Sequence, residues 1–194
     1  MASIAIVQPG VSYGKDNFSA KLGLSLQKFF LKGAIVNSNE FGAFGSGKWF
    51  VAGRQPYDYL LVNPSLEANM KEVVGKYGVT ANIDFTANVD ETVKNIDAKY
   101  KNGYLVSLGI GDDKIGKLGT WQLKAGYHRL EAYAIPTGFG NVDAYGGKPG
   151  KGFEYSLTLG LATNLSFAFN VYDMTNLSGK ASAQTGQFDF VYKF

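Results

Sequence analysis

The sequence predicts an all-β protein: an antiparallel up-and-down transmembrane β-barrel of about nine or ten meandering strands, forming part of a larger barrel. Three observations predict it. Stretches mostly of 10–13 residues alternate apolar and polar side chains, and a strand sends successive side chains to opposite faces. The composition, with 25 Gly, 14 Phe, 12 Tyr and only 5 Pro, favours strands and turns over helices. The end of the chain places Phe188, Phe190, Tyr192 and Phe194 on one side of a two-residue repeat, with Gln187, Asp189, Val191 and Lys193 on the other. A bare aromatic edge of that kind invites aggregation in water but suits a strand whose face meets lipid.

The elements follow in order. Residues 3–13 form a first strand with Ala5, Val7, Pro9, Val11 and Tyr13 on one face, where Pro9 signals an edge or a bulge. A tight turn at Gly14–Asn17 leads to a strand over 18–29, with Phe18, Ala20, Leu22, Leu24 and Leu26 on its apolar side. A long Gly-, Asn- and Ser-rich connection spans 31–56; within it Ala34–Val36 and Trp49–Val51 are cores for a further strand. Residues 58–72 alternate again, and a break at Val74–Lys76 leads into 78–90, the cleanest strand. After a polar connection at 91–100 with room for a helical turn, Tyr104, Val106, Leu108 and Ile110 alternate with Leu105, Ser107 and Gly109. A turn at 112–118 precedes a strand over 119–134. Its phase slips near His128, so that Leu130, Ala132 and Ala134 continue the apolar face. A one-residue bulge accounts for such a slip and puts Arg129 and Glu131 on the polar face, where they can pair. A connection over 135–150 leads to a strand at 152–162, a two-residue turn at Thr163–Asn164 and a strand from Leu165 to Val171. A polar loop near 173–183 precedes the last strand.

Several chemistries are weakly signalled. Gly42–Lys48 has the spacing of a phosphate-binding loop, but Trp49 occupies the place of the magnesium-binding hydroxyl and no helix pattern follows. Asp112–Asp113 offers too few oxygens for a calcium cage and reads as a turn. His128, the single histidine, has no nucleophile motif near it. Cysteine is absent, which excludes disulfides and thiolate metal sites. The net charge of +3 comes from 19 basic and 16 acidic residues scattered without a basic patch for nucleic acid. No catalytic residue, metal or cofactor is expected.

Strands of this length exceed the ~5–6 residues usual in soluble sheets and match the ~9–11 tilted residues that cross a bilayer. With the C-terminus in the periplasm, the connections near 173–183, 135–150, 91–101 and 30–57 fall outside and the shorter ones near 163–164, 112–118, 73–77 and 14–17 fall inside. Long and short connections should alternate in this way. The first strand then enters from outside, and the start of the chain lacks a secretory signal. Both features are expected of the C-terminal portion of a larger barrel. The polar faces supply the pore-lining candidates: Lys21, Lys71, Lys124, Arg129 and Lys193 against Glu67, Asp84, Glu131, Glu154 and Asp189. Their near balance predicts weak ion selectivity.

The alternating end closed by Phe194 resembles the C-terminal assembly signal of bacterial outer-membrane proteins, and Phe188, Phe190 and Tyr192 share its face. The stretches Val7–Tyr13, Tyr127–Ala132 and Gly150–Tyr155 resemble the C-terminal half of the putative-porin family of Gram-negative bacteria. The resemblance implies an outer-membrane barrel delivered to the barrel assembly machinery through its last strand, set in outer-membrane lipid. It also implies passive diffusion of small polar solutes, through a homotrimer. A small plugged barrel with adhesive outer loops and a soluble lipocalin-like barrel are the competing expectations, and an enzyme is the least favoured.

Overall fold

The structure is a computed structural model that describes residues 3–30, 35–36, 53–54, 58–91, 100–131, 133–135, 149–177 and 179–193. Gly42–Lys48, Trp49–Val51, most of the 91–100 and 135–150 connections, Ala132 and Phe194 lie outside them.

Twelve strands are described: β1 (Ser3–Val7), β2 (Gly10–Lys15), β3 (Phe18–Phe30), β4 (Ile35–Val36), β5 (Gly53–Arg54), β6 (Tyr59–Val74), β7 (Tyr77–Asn88), β8 (Asn102–Gly111), β9 (Trp121–Leu130), β10 (Gly150–Ala162), β11 (Leu165–Asn176) and β12 (Ser182–Tyr192). Strands β4 and β5 form a small ribbon apart from the rest, so Ile35–Val36 does not add a strand to the barrel sheet. The other ten make one antiparallel sheet in the order β1-β3-β6-β7-β8-β9-β10-β11-β12, with β2 also on β3. β1 and β2 are two halves of one edge strand. Val7 lies opposite Leu26 and Gly10 opposite Gly23, so the register continues across the gap. The gap is Pro9: its carbonyl accepts from Leu24 N at 3.0 Å, but it has no N–H to return the bond. The sheet therefore has nine strand positions, all antiparallel to their neighbours, and its first and last strands run in the same direction.

The turns are local chemistry. Asp16 and Asn164, with φ of 52° and 62°, take the left-handed conformation that Asp and Asn tolerate best. The second long strand, β6, carries an irregularity between Met70 and Val74, where Glu72 has φ 54°. Most strands outrun their sequence patterns: β8 extends from Asn102 to Gly111 and β11 to Asn176, which reduces the loop expected over 173–183 to residues 177–181. Backbone pairing continues past the point where side-chain alternation is easy to see.

The packing is inverted relative to a water-soluble sheet. On β8, Ser107 is 1% exposed while its neighbour Leu108 is 60% exposed. Leu22, Val106, Leu123, Phe153 and Phe190 are likewise exposed, all on the face shared with Leu108. Aromatic rings gather on that face near both strand ends: Tyr77 lies 4.9 Å from Trp121 at one end, and Tyr127 lies 5.1 Å from Phe153 at the other. The polar face is the sheltered one because the sheet curls. Ser25 of β3 and Met174 of β11 line the same cavity, although five strands separate them in the sheet.

The bulge expected at His128 is absent. β9 keeps one register with both β8 and β10 from Trp121 to Leu130. Arg129 consequently shares the exposed apolar face with Tyr127 and lies opposite Tyr104, and Leu130 turns to the polar face over Gly103. The physical reason is an apolar lining at this end of the inner wall, described below, which receives Leu130 without any slip.

Close backbone approach makes Gly152 a sensitive position. A Cβ there would overlap the Asp173 carbonyl oxygen and come within 2.9 Å of Met174 Cα. Gly152→Ala should therefore cost about 1–3 kcal/mol, the usual range for overpacking. Gly186→Ala, whose Cβ would meet Phe169 at 3.8 Å, should be close to neutral. Urea titration of the lipid-reconstituted variants measures the difference, and equal midpoints would contradict the tight packing.

Candidate pore wall

The antiparallel register turns the polar face into transverse rows. One row runs Ser12, Lys21, Glu67, Asn82, Ser107, Gly126, Glu154, Tyr172 and Thr185 across all nine strand positions. The row beside it carries Ser19, Asn69, Thr80, Gly109, Lys124, Ser156, Asn170 and Gln187. On the other side lie Gly10, Gly23, Ser65, Asp84, Leu105, His128, Gly152, Met174 and Ala183. Short polar groups thus form a continuous wall.

These groups bind one another between strands. Lys21 Nζ lies 3.1 Å from Glu67 Oε1, directly opposite it, and Asn69 Nδ2 donates to the same carboxylate at 2.9 Å. Thr80 Oγ1 donates to Asn69 Oδ1 at 2.8 Å, and Asn82 reaches Ser107 at 3.4 Å. Lys124 pairs diagonally with Glu154 at 3.8 Å. Asp189 accepts from both Asn170 and Gln187 at 2.9 Å. At the tight-turn end Lys71 pairs with Asp113 at 3.2 Å, and Asp112 Oδ2 accepts from Trp121 N at 2.9 Å. Both acids of the suspected calcium pair therefore serve the turn. Among the described residues no group of three or more His, Asp or Glu is placed to hold a metal.

Of the ten pore-lining candidates, Lys21, Glu67, Lys71, Asp84, Lys124, Glu154 and Asp189 lie on the polar face, and Lys193 continues it just past β12. Arg129 and Glu131 do not. They do pair, at 3.1 Å, but on the opposite side of β9. There Glu131 is buried and accepts from Asn102 N at 2.9 Å. Phe188, Phe190 and Tyr192 stand exposed on the apolar face of β12, as a lipid-facing terminal strand requires.

Sequence reasoning missed the apolar part of the wall. At the long-connection end, Phe29, Tyr59 and Leu61 turn to the polar face and are buried together, with Ile135 packed on them. Tyr172 and Met174 form a second buried group on β11. Ile135 belongs to the segment that follows β9, so this segment folds inward. Asn88 Nδ2 donates to Tyr133 O at 3.1 Å and holds it there. The sequence signal was present but faint: Leu61, Leu105 and Met174 are apolar at positions of polar phase.

The ion pairs differ in environment. Lys21 and Glu67 are largely solvated, whereas Lys28 bonds to Asp90, whose side chain is 4% exposed. A double-mutant cycle of Lys21→Met and Glu67→Gln should give a coupling below about 1 kcal/mol. Lys28→Met should cost about 1–3 kcal/mol, because it removes the Lys28 bond to a buried carboxylate. Denaturant titration measures both, and a larger Lys21–Glu67 coupling would contradict the solvated wall.

No match was found among curated proteins or among solved structures. A sequence model of the putative porin family matches residues 58–194. Strands β6 to β12 and most of the polar wall fall inside that match, and the chain belongs to the putative porin family.

Proposed function

We propose that the chain forms the wall of a water-filled pore in a bacterial outer membrane, or the C-terminal part of one, through which small polar solutes and ions diffuse passively. The observation that carries this reading is the inverted burial of Ser107 and Leu108. A sheet that shelters hydroxyls and amides while exposing leucines has its apolar face toward lipid and its polar face toward water. The work of such a wall is screening, with no bond made or broken. Hydrated solutes exchange hydrogen bonds with Asn69, Thr80, Asn82 and Asn170 as they pass.

The free edges run parallel, so antiparallel closure takes an odd number of further strands between β12 and β1–β2. This supports a larger barrel; assembly through the β12 strand by the barrel assembly machinery and grouping as a homotrimer are further parts of the proposal. A plugged barrel with adhesive loops is the second reading. The packing of Ile135 on Phe29, Tyr59 and Leu61 favours it, because that segment narrows the interior.

Selectivity follows from pairing. Lys21–Glu67, Lys71–Asp113 and Lys124–Glu154 cancel, while Asp84 and Asp189 have no cation beside them among the described residues. The full-length protein in planar bilayers should therefore give stable single-channel steps with a slight cation preference, and Asp84→Lys should move the reversal potential toward anions. Absence of conductance would sink the pore and leave the plugged barrel.

The lipid-facing assignment has its own check. Leu108→Arg should destabilise the vesicle-inserted protein by about 2–4 kcal/mol, the cost of a charge near the bilayer midplane. Were the apolar face turned inward to solvent, the same change would be nearly neutral.

A further inference from the structure

At the long-connection end of the polar wall lies a cavity of about 390 Å³. That is within the ~300–1,000 Å³ range of small-molecule sites. Its wall combines two kinds of group. Leu105, Leu130, Ile135 and Met174 supply apolar surface, while Asp84, on the polar face of β7, supplies a carboxylate.

The carboxylate lacks a partner: Asp84 is exposed to this space and to the adjoining one around Lys21, and among the described residues its side chain makes no ion pair or hydrogen bond. Thr86 Oγ1 is buried with no hydrogen-bond partner among the described residues. The nearby cations are engaged elsewhere: Lys21 with Glu67, and Arg129 with Glu131 on the far side of β9. His128 lies two strands from Asp84, across Leu105. The space is kept open by Gly103, since a Cβ there would come within 2.9 Å of Thr86 and 3.0 Å of Leu130.

We infer that this cavity binds small primary ammonium compounds with an apolar or aromatic body. The body packs on Leu105, Leu130, Ile135 and Met174. The ammonium has three donors and no acceptor. One donor reaches the Asp84 carboxylate as a charge-assisted bond. An anionic head would meet Asp84 as a like charge, and a neutral hydroxyl would forgo the charge-assisted bond. The inference deepens the pore reading and rests on it for solute access to the wall.

The test is equilibrium binding to the full chain in lipid nanodiscs, read by titration calorimetry and so independent of conduction. The probes are phenethylammonium, phenethyl alcohol and phenylacetate. Phenethylammonium should bind saturably, with the other two at least about tenfold weaker. Asp84→Asn should weaken phenethylammonium about tenfold. Asp16→Asn, which removes a carboxylate from a distant turn, should change nothing. No saturable binding, equal affinity for the three probes, or wild-type affinity in Asp84→Asn would overturn the inference. Binding without conductance would leave the site standing and remove the pore; conductance without binding would do the reverse.

Discussion

The lateral backbone ladder is the interaction on which everything else in this protein depends. In lipid no water is available to satisfy an open N–H or C=O, so each strand must take its partners from its neighbours. The long, regular registers from β6 through β12 meet that demand strand after strand. Deviations fall where the ladder can bear them. Pro9 lies on the edge strand and forfeits a single bond. The irregularity around Glu72 lies at the tight-turn end of β6, beyond the last regular pair at Met70. Pro64 is the exception. It sits within β6, where no pairing with β7 is recorded between Val62 and Ser65, and the cavity with Asp84 and Thr86 opens at that place. Once the backbone is satisfied laterally, side chains are free to serve opposite solvents on the two faces.

That freedom explains the choice of residues inside. The wall is built from Ser, Thr, Asn and Gly with charges set between them, and glycines give their neighbours room. A Cβ on Gly126 would press within 3.1 Å of both Glu154 and Ser107, so the glycine lets these two side chains lean over it. Pairing of Lys21 with Glu67 and Lys124 with Glu154 makes the wall polar without a strong field. On the proposed pore reading, a solute passing it would meet many exchangeable hydrogen bonds and little net charge. The apolar lining of Leu105, Leu130, Ile135 and Met174 departs from that rule, and it is the part of the proposed cavity that would hold a molecule's apolar body.

Much of this was legible in the alternation of the sequence. Two-residue periodicity assigns each residue to a face with no knowledge of pairing, which is why Lys21, Glu67, Asp84 and Asp189 lie on the face the alternation gives them; the turn at Thr163–Asn164 stands as read, while that expected over Gly14–Asn17 narrows to Asp16–Asn17. It fails where the two faces stop differing in polarity. At the end of β9 the outer face carries Arg129 and the inner face Leu130. A reader who expects apolar outside must then invent a slip, while the backbone simply continues. The same limit hid Phe29 and Leu61, apolar residues on the polar side on which Ile135 packs, and Met174, which is buried beside Tyr172.

What periodicity cannot supply at all is the transverse relation, because that depends on register between strands far apart in sequence. Asp84 and His128 look unrelated along the chain, yet Leu105 alone separates them across the sheet. Lys21 and Glu67, 46 residues apart, become direct neighbours. A one-residue shift between any two strands would turn one strand's whole polar set to the opposite face, so the burial preference that defines the faces also fixes the register. The rows of the pore wall, and the pairing of Asp84 with an apolar cavity, are therefore consequences of the same alternation that is visible in each strand, read at right angles to the chain.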